Sequence, residues 1–170
     1  TYSTPSGSTI VVGAGGDFQA ALNSANLGDT ITLNAGSSYT GNFTLPVKSG
    51  SSYIHIRSSA TLTPEGTRVT TSDLAGFPKI QTANTSATIQ AAAGAHHYRF
   101  INCDIKSGNT ATTGGLVCFG AGDEISTSQL THHMIVDRCG VRGSAANGGR
   151  RGVILFFEDV TFLLRVERME

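Results

Sequence analysis

The sequence has no tryptophan and only four prolines, and charged residues make up 14% of its 170 residues, against roughly 25% in typical soluble domains. The 12 basic and 12 acidic residues balance, whereas nucleic-acid binding needs clustered Lys and Arg. No apolar run approaches the roughly 18 residues of a membrane span. We therefore expect neither nucleic acid nor a membrane as a partner.

The three cysteines, Cys103, Cys118 and Cys139, are too few for a disulfide-based scaffold. Their odd number leaves at least one thiol outside any disulfide within the chain. All three lie in apolar runs typical of strands, where free cysteine behaves as a small buried hydrophobic residue. We expect buried free thiols.

Small residues are plentiful instead, with 21 glycines and many Ser, Thr, Asn and Ala, and hydrophobic residues still make up 39%. The hydrophobic residues fall in short β-branched runs, which argues against disorder. One segment has helical spacing: Asp17 is a suitable N-cap, and Phe18, Ala21, Leu22 and Ala25 share one face. The pattern predicts an α-helix at about residues 17–26.

After this helix the apolar period changes to two, which is typical of half-buried strands. Polar and apolar residues alternate at 30–33, 42–45 and 53–57. Similar short runs follow, separated by Gly, Ser, Asn and Thr loops, at 78–81, 87–90, 98–101, 116–119 and 133–136. Many short strands without intervening helices indicate an all-β sandwich, barrel or β-helix.

An internal repeat favours the β-helix. Residues 95–105 align without gaps on residues 131–141, at an offset of 36. Both copies have a His-His pair, apolar residues at the fourth, sixth and eleventh places, and Cys at the ninth. Self-similarity at a fixed period of 20 to 50 residues is typical of solenoids, and the repeat predicts that Cys103 stacks on Cys139 in successive coils.

Residues 16–25, 27–33 and 35–43 resemble the N-terminal cap and first coil of secreted pectate-lyase-like β-helix proteins, such as pectin methylesterases and lyases of the chondroitinase B and alginate lyase type. The resemblance implies a right-handed parallel β-helix, a three-sided solenoid of few coils, with the helix closing one end of the core. It also implies a secreted or periplasmic protein, although no signal peptide is present in this chain.

We expect a single domain in which residues 1–28 form a strand and the cap, 29–155 form coils, and 156–170 form an atypical C-terminal segment. This last segment is bulkier and more charged than the coils and contains no Gly or Asn. A solenoid end that lacks a regular cap exposes strand edges. We therefore expect a homo-oligomer that assembles through the C-terminal end.

The resemblance implies a protein that acts on or binds carbohydrate, specifically acidic polysaccharide. Fold alone does not fix activity, so two alternatives stay open. One is a small calcium-dependent hydrolase of esters or lactones, and the other is a non-catalytic structural solenoid fragment. No G-x-S-x-G nucleophile motif is present in the sequence.

Acidic polysaccharides need a group that neutralises their carboxylates. Arg99, Arg138 and Arg142 are the candidate substrate-binding residues, because a guanidinium holds a carboxylate with two hydrogen bonds. Calcium is the candidate cofactor, because it prefers oxygen ligands. Asp123 and Glu124 are the candidate metal ligands, since they form an adjacent acidic pair in a Gly-flanked loop.

Four residues are candidates for catalysis: His97, His133, Asp104 and Asp137. The His-His pairs occupy the same place in successive repeats, so stacking could bring imidazoles together for a metal or a general base. The alternative is a turn before each strand in which one histidine points out and the other packs. The two aspartates lie in neighbouring repeats. They also have two interpretations, as residues of a site or as solvated loop carboxylates.

Overall fold

Parallel strands form three sheets. The computed structural model describes residues 4–82, 84–108, 115–120 and 123–143, together with the backbone of Val153–Leu155. Within these residues every strand pairing is parallel. The protein is therefore mostly β, as predicted, with one α-helix among the described residues.

The chain visits the three sheets in a constant order. The first sheet contains β1 (Thr9–Val12), β2 (Thr30–Leu33), β5 (Ile54–Ser58), β8 (His96–Ile101) and β11 (His132–Asp137). The second contains β3 (Ser38–Thr40), β6 (Lys79–Thr82), β9 (Asp104–Ser107) and β12 (Gly140–Arg142). The third contains β4 (Phe43–Leu45), β7 (Ile89–Ala91), β10 (Val117–Phe119) and β13 (Val153–Leu155). After β1 the strands thus form four successive triplets, each with one strand for every sheet.

The last two triplets are in the register of the sequence repeat. His132 pairs with His96 in the first sheet, and Gly140 pairs with Asp104 in the second. The backbone N–H of Cys103 donates to Sγ of Cys139, 36 positions away, at 3.3 Å. The predicted alignment of the two copies is confirmed, and Cys103 and Cys139 are neighbours. All three cysteines are free, although only Cys103 is fully buried.

The helix α1 (Phe18–Ser24) packs against β4 and β1 and lies within the predicted bounds. The side chain of Asp17 caps it by accepting a hydrogen bond from the N–H of Ala20 at 2.9 Å. The ring of Phe18 packs against Phe43 at 4.8 Å and against Tyr39 at 6.1 Å. The apolar face read from the sequence is the face that the helix buries.

One continuous core lies between the sheets. It is aliphatic for the most part, because alternate residues of each strand point inward. Its fully buried members include Leu22, Ile31, Leu33, Leu45, Ile54, Ile56, Ile80, Ile89, Tyr98, Phe100, Ile105 and Phe119.

A long connection between β5 and β6 covers part of the outer surface. It contains the short 3-10 helix Asp73–Gly76, whose Leu74 is 1% exposed. Gly140 of β12 lies against it, since a Cβ at that position would stand 2.7 Å from Cδ2 of Leu74. Asn102 donates to Oγ1 of Thr63 in the same connection at 2.9 Å. The outer face beside β8 and β9 is therefore partly buried.

Two predictions lie outside the described residues. The C-terminal segment at 156–170 and the assembly through it are not described, so the expected homo-oligomer stays a prediction. No helix in the described ranges is long and apolar enough to cross a membrane.

The buried hydroxyl of Tyr39 offers a test of how the cap is held. It donates to the carbonyl of Val12 at 2.7 Å and accepts from the N–H of Asn34 at 2.8 Å, and Tyr39 is 3% exposed. We expect Tyr39→Phe to lower the free energy of unfolding by about 0.5–1.5 kcal/mol, the net contribution of a hydrogen bond. The two backbone groups lose the hydroxyl but stay bonded to each other, because the N–H of Asn34 also donates to the carbonyl of Val12 at 3.2 Å. Urea denaturation measures this loss, and Ser38→Ala on the exposed side of β3 is the control. Equal stability of the two variants would contradict the expectation.

Candidate functional site

Four imidazoles meet where β8 and β11 begin. His96 and His97 open β8, and His132 and His133 open β11. Because the two strands pair in register, each histidine lies beside its counterpart in the next triplet. We call these four residues the histidine cluster.

A local backbone conformation places both rings of each pair on one side. Successive residues of a regular strand point to opposite faces, but His97 and His133 have φ values of 58° and 53°. The left-handed conformation turns each ring towards its neighbour, so the Nδ1 atoms lie 2.8 Å apart in His96–His97 and 2.6 Å apart in His132–His133. Such a conformation costs of the order of 1–3 kcal/mol per residue and is common at functional sites.

The rings also stack between triplets. His96 and His132 are 4.8 Å apart and within 6° of parallel, and His97 and His133 are 4.3 Å apart and within 5°. Below them the ring of Tyr53 lies 5.1 Å from that of His97. The arrangement matches the predicted meeting of imidazoles rather than a pair with one ring turned away.

Burial keeps the inner part of the cluster uncharged at neutral pH. The pKa of His97 is lowered from its usual 6.5 to about 4, chiefly by burial and then by repulsion from the other three histidines. Burial, followed by repulsion from His96 and His133, also lowers the pKa of His132. His97 is 9% exposed, whereas His133 faces solvent. Neutral imidazoles are the form that binds metals, and the exposed ring provides access.

A charged group lies at the other end of the same two strands. Asp137 of β11 accepts from Arg99 at 2.6 Å and from Arg138 at 2.7 Å. Arg138 also donates to the carbonyl of Thr63. Although burial raises it, the pKa of Asp137 is lowered overall by the hydrogen bonds from Arg138 and Arg99. This carboxylate is thus held ionised between two guanidinium groups.

Asp104 and Arg142 form a second ion pair. The guanidinium of Arg142 donates to the two carboxylate oxygens of Asp104 at 2.8 and 2.5 Å. The aspartate side chain is fully buried, while that of Arg142 is 40% exposed. The structure therefore pairs the arginines predicted to bind substrate with the aspartates predicted to be catalytic.

Asp123 and Glu124 lie on the loop before the 3-10 helix Thr127–Gln129. Asp123 is exposed and Glu124 is half-buried. Among the described residues, one group of three or more His, Cys, Asp or Glu could hold a metal ion, and it contains only histidines. No such group includes the acidic pair.

His96 and His132 belong to the His-His pairs that the repeat predicts to meet, although they are not among the four candidates for catalysis, and Tyr53 is not predicted from the sequence. The repeat carries the signal for the two histidines, because each has its counterpart 36 positions away. Tyr53 belongs to an earlier triplet that has no recognisable repeat, so the sequence offers no signal for it.

Comparison of the chain with protein-family models, with curated proteins and with solved structures finds no match.

Buried histidine predicts a loss of stability in acid. His55 is 1% exposed, and its pKa is lowered from 6.5 to about 4 by burial and then by Arg99 and Arg57. The unfolded chain takes up the proton first, so stability is complete above about pH 6.5 and falls as the pH drops towards 4. The loss from His55 reaches about 3 kcal/mol, because one pKa unit corresponds to ~1.4 kcal/mol.

Urea denaturation between pH 7.5 and 4 measures this dependence. We expect His55→Asn to unfold with a shallower pH slope than the unsubstituted chain, since one of the titrating groups is removed. An identical slope in the two proteins would contradict the assignment.

Proposed function

We propose that the chain forms a right-handed parallel β-helix and that it binds acidic polysaccharide along the outer face of the second sheet. The β-helix proposal is supported by the constant order in which the chain visits three parallel sheets. Parallel crossover connections are right-handed in about 98% of cases. The resemblance of the cap and first coil to pectate-lyase-like proteins supports the same fold.

The observation that carries the binding proposal is a row of polar side chains on the second sheet. Thr40 pairs with Gln81, Gln81 with Lys106, and Lys106 with Arg142. All four side chains are exposed or half-buried. Since paired strands are about 4.7–4.9 Å apart, the row presents one polar group per triplet along a straight line. A linear polymer of repeating sugars fits such a linear series of groups.

The charge at one end of this polar row favours an acidic ligand. Lys106 and Arg142 are adjacent in register, and like charges on directly opposite residues repel. Arg142 has Asp104 as a partner, but no described carboxylate forms an ion pair with Lys106. A ligand carboxylate beside Lys106 would relieve this repulsion and form a charged hydrogen bond.

Binding of polygalacturonate tests this proposal. Lys106→Gln should weaken binding about tenfold, because a hydrogen bond to a charged group contributes ~1.5 kcal/mol. Lys48→Gln is the matched control: it makes the same change of charge near the cap, where Lys48 donates to the carbonyl of Asn23. Isothermal titration calorimetry at low salt gives both affinities.

The control should bind like the unsubstituted chain. Equal weakening by both substitutions would show that net charge alone attracts the polymer, and the absence of binding to the unsubstituted chain would also contradict the proposal. A neutral polysaccharide, which lacks the carboxylates, should bind none of the three proteins.

A further inference from the structure

We propose that His97, His132 and His133 bind a late divalent transition-metal ion such as Zn²⁺. This site belongs to the first sheet, whereas the polar row belongs to the second. The metal site therefore does not depend on polysaccharide binding, and either proposal can fail without the other.

The positions of the ring nitrogens carry the inference. One nitrogen from each of the three imidazoles lies within 4.8 Å of the other two. In a tetrahedral zinc site with Zn–N of about 2.0–2.1 Å, ligand nitrogens are ~3.4 Å apart. The widest of these separations must shorten by up to about 1.4 Å, whereas the Nδ1 atoms of His132 and His133, which lie 2.6 Å apart, must separate by about 0.8 Å. His133 can move most easily because its side chain is exposed.

The short contacts within each pair define what the ion replaces. When two Nδ1 atoms lie 2.6 Å apart, as in His132 and His133, one of them must donate a proton to the other. When a metal ion binds, the donor ring takes its other neutral tautomer, with the proton on Nε2, so that both Nδ1 lone pairs coordinate the ion. The third ligand comes from His97, which stacks on His133 at 4.3 Å.

His96, the fourth member of the histidine cluster, lies beside two of the three proposed ligands. Its ring stacks on His132 at 4.8 Å, and its Nδ1 lies 2.8 Å from that of His97. It can hold the ring of His97 in place through this hydrogen bond, as second-shell partners of zinc ligands do. The fourth coordination position is then left to water.

The donor set determines the class of metal. Imidazole nitrogen suits zinc, copper and nickel, whereas calcium and magnesium prefer oxygen. The three candidate ligands include no carboxylate. The geometry therefore points to a different ion and a different place from the calcium site predicted at Asp123 and Glu124.

Zinc titration of the purified chain tests the site. Isothermal titration calorimetry with ZnCl₂ should show one ion bound per chain, and CaCl₂ should produce no binding. His133→Asn should weaken zinc binding at least tenfold. Asparagine tolerates the positive φ of this position and the side chain is exposed, so this variant should still fold.

Two further variants define the ligand set. His132→Gln should also weaken binding at least tenfold, whereas His55→Asn, which removes the histidine outside the cluster, should bind zinc like the unsubstituted chain. Circular dichroism in EDTA checks that each variant is folded. A chain that binds no zinc, or a folded His133→Asn variant with unchanged affinity, would overturn the proposal.

Discussion

In-register parallel pairing is the constraint on which the rest of this structure depends. Between the last two triplets every paired residue meets the residue 36 positions away, so like residues are placed beside like. His96 meets His132, Cys103 meets Cys139, and the left-handed residue Asn102 meets the left-handed Arg138. Any chemical group that the repeat contains is therefore presented twice at one strand spacing.

For apolar residues this stacking is favourable, but for charged residues it would bring like charges together. The chain offsets this cost with ion pairs. Asp137 binds Arg99 of the preceding triplet and its own neighbour Arg138, and Asp104 binds Arg142 of the following triplet. Both of these carboxylates therefore have a guanidinium partner. The stacked imidazoles avoid repulsion between like charges in a different way, because burial keeps the ring of His97 neutral at pH 7.

The sequence predicts the first and third sheets better than the second. Strands such as β2 and β5 alternate polar and apolar residues over four or five positions, whereas β3 and β12 have three residues each and one inward-facing side chain. The three-residue strands of the third sheet, such as β4 and β7, bury two residues each, but a single buried residue gives no period of two that could be recognised. Strands β3 and β12 have no signal of their own and take their places by pairing with β6 and β9.

The candidate site, like the fold, is predicted from the sequence only in part. The repeat predicts that the His-His pairs are neighbours, but the contact between rings also needs positive φ at His97 and His133, for which histidine gives little indication. The ion pair of Asp104 with Arg142 joins residues 38 positions apart, not 36. Long side chains that reach diagonally between strands follow no sequence period, so this pairing could not be predicted.

The central claim is the common register of the last two triplets. Nuclear Overhauser effects between backbone protons of the isotopically labelled chain test it directly. The structure predicts interstrand contacts of His96 with His132, Asp104 with Gly140, and Val117 with Val153, all in the parallel pattern. Contacts at a different offset in any of the three sheets, or an antiparallel pattern, would contradict it.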